Sequence, residues 1–330
     1  MTRILIAGGY GLVGGWIARH LRAAGHNIDL VLAGRTPDAG AALASALNAS
    51  VIALDSGDAA AGLAKAGPVD LVIGALQDPD DNLLTAALRA DSAFLGIVRK
   101  VDNVGPTAIA ACLLARRPAL LMGHWQAGAG TFAALVGAKA FGRLESIAMA
   151  ALFDLADPAG TMATTDSSAF FTKALMRRRG VWERVDQADN IRQIDRPGLP
   201  SFMARPMGVL DVAGLAAMTG ADDVRFDIGV GQSLGTIAGQ QASHEIYVDL
   251  RGENILGRSF VQRIVVSDPL GQAHLTALGV LIGVERLLGL DGRARPAGGL
   301  HLPERLIEPR QALDRLCDFG VCIDMLAPPA

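Results

Sequence analysis

The opening fourteen residues restrict the fold more than any other stretch of the chain. Arg3–Ala7 (RILIA) is a short apolar run that passes directly into Gly8-Gly9-Tyr10-Gly11-Leu12-Val13-Gly14. Val13, Ile17, His20 and Leu21 then follow at the spacing of one helix face, and Gly25 closes the pattern. A strand that turns through glycines into a helix is the first half of a parallel crossover, so further strands are expected beside it. The chain supplies them. Strands are predicted at Ile28–Ala33, Val51–Leu54, Val69–Leu76, Ala93–Val98 and Ala119–Met122. Helices are predicted between them at Ala39–Leu47, about Asp80 to Arg89 and about Gly105 to Ala115. Apolar strands alternating with helices indicate an α/β fold with a doubly wound, Rossmann-type parallel sheet.

Within that frame Gly9, Gly11 and Gly14 spell GxGxxG between a strand and a helix. The first glycine permits a tight turn, the second lets backbone approach a pyrophosphate, and the third allows close helix–strand packing. Main-chain N–H groups at the helix start, with the helix dipole, favour the phosphate charge. Gly8, Gly9, Tyr10, Gly11, Leu12, Val13 and Gly14 are therefore the expected dinucleotide cradle. The end of the second strand discriminates between cofactors, because an NAD site usually places an acidic residue there for the ribose 2′-hydroxyl. This chain has Gly34-Arg35-Thr36 instead. Arg35 can grip a 2′-phosphate with a bidentate fork and Thr36 can add a hydroxyl, which favours NADP; a solvated surface arginine is the alternative. Asp55 and Ser56 close the third strand, either bordering an adenine or forming a simple turn. Ala75, Leu76 and Gln77 close the fourth, at the edge where doubly wound sheets bind ligands.

Composition excludes several other readings. At 330 residues the chain suits about two domains. Its 30 basic and 33 acidic residues leave no basic excess for a nucleic-acid partner. Three cysteines, without a CxxC or Cys/His set, offer no metal site and fit a reducing compartment. Met1-Thr2-Arg3 leads straight into the first strand without a signal-peptide pattern, so a cytoplasmic location is expected. The mean hydropathy of +0.33 calls for a membrane test. The longest uncharged stretch, Pro118–Ala138, is broken by Gly123, His124, Gln126, Gly128 and Gly130, so no span is expected.

With these residues in place, the chain resembles the saccharopine dehydrogenase family in its NADP-linked reductase branch. The resemblance is carried by Gly8–Gly14, by Leu32-Ala33-Gly34-Arg35, by Val69–Gly74 and by Gly298-Gly299-Leu300-His301-Leu302-Pro303-Glu304. It implies a nucleotide-binding domain, an inserted substrate domain with a mixed sheet, and a C-terminal segment returning to the first domain. It also implies hydride transfer between NADP and a C–N bond, often of an amino-acid-derived imine. The chain departs from the family after the sixth strand, where Gly123-His124-Trp125-Gln126-Ala127-Gly128 replaces an expected glycine-proline turn.

The organisation expected is residues 1–125 for nucleotide binding, 126–298 for substrate and oligomerisation, and 299–330 as the returning segment. Gly130–Phe141 reads as helix and Leu144–Leu155 as strand. Val224, Phe226, Ile228 and Val230 alternate with polar residues or glycine, as do Ile246, Val248 and Leu250, while Ser259–Ser267 is another strand run. An apolar helix is predicted from about Gln272 to Leu288. Such strands suggest a mixed or antiparallel sheet with helices on one face, the other facing solvent, a cleft or a second subunit in a homodimer. Asp166–Arg179 reads as a capped helix ended by Gly180, with Arg177-Arg178-Arg179 compensating its dipole rather than clamping a carboxylate.

A nicotinamide enzyme needs a group that exchanges one proton with its substrate. His124 sits at a strand end and suits that task near neutral pH, with a capping or packing histidine as the alternative. Lys100, one of four lysines, also sits at a strand end, as a proton donor, carboxylate partner or solvated loop residue. Tyr247 shares a polar strand face with Glu245, Asp249 and Arg251 and is the third candidate, against sheet packing. Neither tyrosine is followed four residues later by lysine, which removes the short-chain dehydrogenase mechanism. HExxH, GxSxG and Walker A sequences are also missing. The expected function is thus an NADP-dependent oxidoreductase acting on a small substrate, most readily at a C–N bond. Its rivals are a reductase of C=C or carbonyl groups and a non-catalytic NADP-responsive regulator.

Overall fold

A computed structural model describes residues 1–97, 104–160 and 173–326. It divides into two units, Met1–Gly123 with Thr276–Ile307, and His124–Leu275 with Glu308–Ala330.

In the first unit, strands β1 (Thr2–Ala7), β2 (Ile28–Gly34), β3 (Ser50–Ala53), β4 (Leu71–Gly74), β5 (Ala93–Gly96) and β6 (Pro118–Leu121) are joined by a late strand, β15 (Gly299–His301). Their order is β15-β6-β5-β4-β1-β2-β3, and every pair is parallel. Helices α1 (Leu12–Ala23), α2 (Ala41–Leu47), α3 (Ala59–Ala66), α4 (Asn82–Arg89) and α5 (Val104–Leu114) make the crossovers. All residues of β4, β5 and β6 are buried, which explains why they read as apolar runs without alternation. The strand order reverses between β1 and β4, the switch point at which such sheets bind ligands. The Gln272–Leu288 helix coincides with its sequence prediction. Its Gly283 lies so close to the sheet that a Cβ there would stand 2.6 Å from the Met122 sulfur and 2.8 Å from Leu95.

The second unit is built on helix α6 (Ala129–Ala138) and on β7 (Phe141–Phe153), β8 (Lys173–Arg178), β9 (Val181–Asp186), β10 (Arg192–Arg196), β11 (Leu199–Pro206), β12 (Asp223–Val230), β13 (His244–Asn254), β14 (Ser259–Asp268) and β16 (Cys322–Leu326). The order is β10-β11-β12-β7-β13-β14-β16, with the β8–β9 hairpin attached to β12. Only β7 and β12 pair in parallel on that path, so the sheet is mixed. Helix α6 covers one face through glycines. A Cβ on Gly130 would meet Met149 at 2.6 Å, and one on Gly137 would meet Leu250 at 2.4 Å. The opposite face is closed by the sheet's own edge, which folds back over it. Arg263 of β14 donates to the Asp195 carbonyl of β10, and Arg192 of β10 reaches the Met149 carbonyl of β7 at 3.3 Å. Ile194, Phe202 and Ala204 thereby pack with Ala150, Leu152, Tyr247 and Val265.

Three sequence expectations need revision. Residues 173–178 form a strand, not the end of a helix. Arg179 (φ 47°) and Gly180 (φ 77°) are the two positive-φ residues of a tight hairpin, so the glycine read as a helix stop is a turn glycine. The arginine run therefore has no helix dipole to offset; Arg177 lies over Trp182 and Arg178 faces Glu183 at 3.6 Å. The four strands between residues 173 and 206 were not anticipated. Finally, the chain re-enters the first unit at Thr276, and from Glu308 onward it belongs to the second. Among the described residues no helix is long and apolar enough to cross a membrane.

Candidate functional site

The glycine turn is shaped by packing that leaves no room for a side chain at Gly8, Gly9 or Gly14. Gly8 has φ 81°, and its N–H and that of Gly9 both donate to the Ala33 carbonyl, at 2.8 and 3.2 Å. The positive φ thus falls on Gly8, one residue ahead of the motif's first glycine. A Cβ on Gly9 would lie 2.7 Å from the Ile6 carbonyl, and one on Gly14 only 2.1 Å from that of Gly8. Gly14 therefore locks helix to turn. Gly11 differs: it is exposed, and a Cβ there would meet only the Gly8 oxygen, at 3.2 Å, with open space beyond. Gly11 is also the N-cap of α1, which has no side-chain cap. The N–H groups of Leu12, Val13 and Gly14 thus lack helical acceptors and suit an anion.

Tyr10 ties this turn to the end of β2. Its hydroxyl accepts the Thr36 N–H at 2.9 Å, and its ring covers Gly34, where a Cβ would lie 2.5 Å from the phenol oxygen. Gly34 is therefore small because Tyr10 needs the space. Arg35 and Thr36 are exposed just beyond, and among the described residues Arg35 has no carboxylate partner. Asp55 caps its own turn, accepting the Gly57 N–H at 2.8 Å, and Ser56 is half-buried beside it. Ala75 donates to the Ala7 carbonyl at 2.9 Å, and its own carbonyl lies 2.5 Å from where a Gly8 Cβ would stand. Leu76 and Gln77 follow, half-buried, at the same strand edge. Lys100 lies outside the described residues.

In the second unit His124 is buried and introduces a turn with unusual backbone. Gln126 (φ 47°, ψ 46°), Ala127 (φ 49°, ψ 37°) and Gly128 (φ 92°, ψ 5°) are consecutive left-handed residues. For a residue with a Cβ that conformation costs about 1–2 kcal/mol, so surrounding contacts must hold it. Asp211, in the first turn of the Leu210–Thr219 helix, does much of this: it accepts the Trp125 N–H at 2.8 Å and the Thr131 hydroxyl at 2.6 Å. The Trp125 indole N–H donates to His244 Nε2 at 3.1 Å, and the Gln126 amide nitrogen lies 3.3 Å from the same atom. Because Nε2 accepts, the His244 proton is on Nδ1. Burial pushes His244 down to about 3, so it stays neutral at working pH. Burial also pushes the Asp211 carboxyl up, while the charge of nearby His124 pulls it back. Asp211, Thr131 and His244 were missed by sequence reading. An aspartate opening a helix reads as a dipole-compensating surface residue, and only the fold reveals that Asp211 is fully enclosed.

Tyr247 does not join this group. Period-two alternation along β13 places it on the face opposite His244. There it packs against Phe202, with ring centres 5.9 Å apart, and under the Arg263 guanidinium at 5.9 Å. Burial pushes its phenol up. The structure thus favours sheet packing over proton donation for this residue.

A second buried polar cluster lies at one end of the same sheet. Asp157 accepts the Gln272 N–H at 2.8 Å, while His274 Nδ1 contacts Asp268 at 2.7 Å. Burial, with repulsion from Asp268, Asp154 and Glu245, raises Asp157 to about 6. Its pKa is higher folded than unfolded, so between about pH 4 and 6 the folded state holds more protons and stability falls as pH rises. Asp157→Asn keeps the acceptor and removes the charge. It is expected to raise the thermal midpoint by about 4 °C at pH 8 and to leave it unchanged at pH 4, read by calorimetry.

These features define a Rossmann-type parallel sheet accompanied by a mixed sheet, a saccharopine-dehydrogenase-like fold. The full chain is similar to apo saccharopine dehydrogenase (L-Glu forming) from Saccharomyces cerevisiae, with a TM-score of 0.73 at 14% identity over 99% of this chain and 100% of that one. It is also similar to scyllo-inositol dehydrogenase from Lactobacillus casei with bound NAD(H) and scyllo-inositol, with a TM-score of 0.52 at 12% identity over 98% and 99% of the two chains. At these identities the likeness is one of fold. Neither a family model nor a curated protein matches the chain.

Proposed function

We propose that the chain is an NADP-dependent oxidoreductase that transfers a hydride to or from a small substrate, at a C–N bond of an imine or amino-acid-derived compound. The observation that carries the reading is the uncapped start of α1, where Gly11 leaves space for a diphosphate and Gly14 leaves room for nothing. Support for the cofactor class comes from the NAD(H) held by the inositol dehydrogenase of similar fold. Support for the C–N bond is the likeness to a saccharopine dehydrogenase over the whole chain.

When bound, the nicotinamide supplies or accepts the hydride. The chain's own residues do the rest. The N–H groups of Leu12, Val13 and Gly14 hold the diphosphate, and Tyr10 fixes the backbone of Thr36 so that Arg35 is presented beyond β2. Arg35 pairs with the 2′-phosphate of NADP, a role that a carboxylate at this position would forbid. His124 exchanges the proton that accompanies hydride transfer, and Asp211 stabilises its charged form.

Nucleotide titration followed by fluorescence tests the cofactor. NADPH is expected to bind in the micromolar range, and Arg35→Ala to weaken it about 10- to 100-fold while leaving NADH unchanged. Equal affinity for the two nucleotides in the parent chain would remove NADP from the reading; binding of neither would remove the oxidoreductase.

A further inference from the structure

The first unit has a second basic concavity, at the sheet edge opposite the glycine turn. In a parallel sheet all strands begin at one edge, and at about 3.3 Å per residue even the four-residue strands separate the two edges by about 13 Å. The approaches to β4, β6 and β15 and the start of β5, together with the end of the Gln272–Leu288 helix, enclose a cavity of about 130 Å³. Leu287 and Leu288 contribute apolar wall, and the charged lining is Arg116, Arg117, Arg295 and Asp70.

The charges there do not cancel. Asp70 is already engaged, accepting the Arg3 N–H at 2.8 Å. Arg117 faces Asp91 at 3.5 Å, across the solvent-exposed side. Asp291 is shared by Arg286 at 3.3 Å and Arg293 at 2.7 Å, so it is not left for Arg295. Among the described residues Arg295 spends only Nε, on the Leu288 carbonyl at 3.0 Å. Among the described residues neither Arg116 nor Arg295 has a carboxylate partner. The loop bearing Arg295 is also fixed in place. A Cβ on Gly298 would lie 2.0 Å from the Arg116 carbonyl, and Arg286 donates to the Ala294 carbonyl at 2.6 Å. Three exposed arginines on two adjoining connections, lining one cavity with fewer carboxylates than guanidiniums, suit a compact oxyanion that accepts several N–H bonds at once.

We propose that this cavity binds a phosphoryl group, with Arg116 and Arg295 as its principal ligands and Arg117 at its rim. The site is separate from the Gly8–Gly14 turn and does not depend on the nucleotide reading. Free phosphate and a phosphorylated metabolite share the chemistry that these residues recognise.

Isothermal titration of inorganic phosphate into the full chain tests the site, with variants that separate it from the turn. Gly11→Asp, which blocks the turn, is expected to leave phosphate binding intact. The double variant Arg116→Gln/Arg295→Gln is expected to weaken it at least tenfold while NADPH affinity stays as in the parent. Asp70→Asn, which removes the opposing charge and keeps the acceptor for Arg3, should tighten binding several-fold. Glycerol phosphate binding more tightly than inorganic phosphate supports the site and identifies a phosphorylated metabolite as its source; equal affinity supports it with free phosphate. Phosphate binding that disappears in Gly11→Asp but survives in the arginine variant assigns the ion to the turn and overturns the proposal. So does the absence of saturable binding in the parent chain. Loss of NADPH binding in the parent with phosphate binding retained sinks the oxidoreductase reading alone.

Discussion

Gly11→Asp is expected to yield a chain that folds at least as well as its parent and no longer holds a nicotinamide nucleotide. Gly11 has φ −72° and ψ 176°, a conformation open to any residue, and nothing but the Gly8 carbonyl stands near its missing Cβ. An aspartate at this N-cap accepts a first-turn N–H and should add a few tenths of a kcal/mol of stability over glycine. The same carboxylate would occupy the place proposed for the diphosphate and repel its charge. NADPH affinity should fall more than 100-fold while the thermal midpoint holds or rises by about 1 °C. Fluorescence titration beside a melting curve reads both. Opposite movements in binding and stability are hard to produce by damage to the fold; unchanged affinity would mean that the diphosphate does not lie against α1.

Asp211→Asn should abolish most turnover without touching nucleotide binding. The asparagine oxygen can still accept from Thr131 or Trp125, now held at 2.6 and 2.8 Å, so the left-handed turn keeps part of its support. What disappears is the carboxyl whose ionised form would stabilise a charged His124. With a substrate found by screening imines and their parent carbonyl and amine compounds, kcat is expected to fall about 100-fold. The dissociation constant for NADPH should stay within about twofold of the parent value, since the substitution leaves the glycine turn untouched. Asp211→Glu, which restores charge at the wrong length, should recover little. Full activity in Asp211→Asn would show that the carboxylate only buttresses the turn.

The parallel-sheet half was legible because its signals are local. A strand, a glycine turn and a helix face lie within some twenty consecutive residues, and each later crossover repeats the pattern. Even so, only the packing shows that Gly8 carries the positive φ and that Gly34 is cleared for Tyr10. The second unit was read less well, beginning with its β8–β9 hairpin. The Arg179-Gly180 turn looked like a helix end because glycine stops both helices and hairpins, and only the register of Lys173 with Asp186 distinguishes them.

The same distinction separates the candidate residues. Arg35 is a candidate because of its place at a strand end, which the structure keeps. Asp211 meets Trp125 across 86 residues and Thr131 across 80, distances over which no periodicity in the chain carries information. The sequence by itself determined the parallel sheet, the glycine turn and the place of the basic residue beside it, since backbone sterics and hydrophobic period act between near neighbours. The tertiary structure alone decided which polar groups share a buried environment: Asp211 and His244 with His124, and Tyr247 on the far face. That choice depends on which surfaces leave water together, a property of the folded chain and not of any segment.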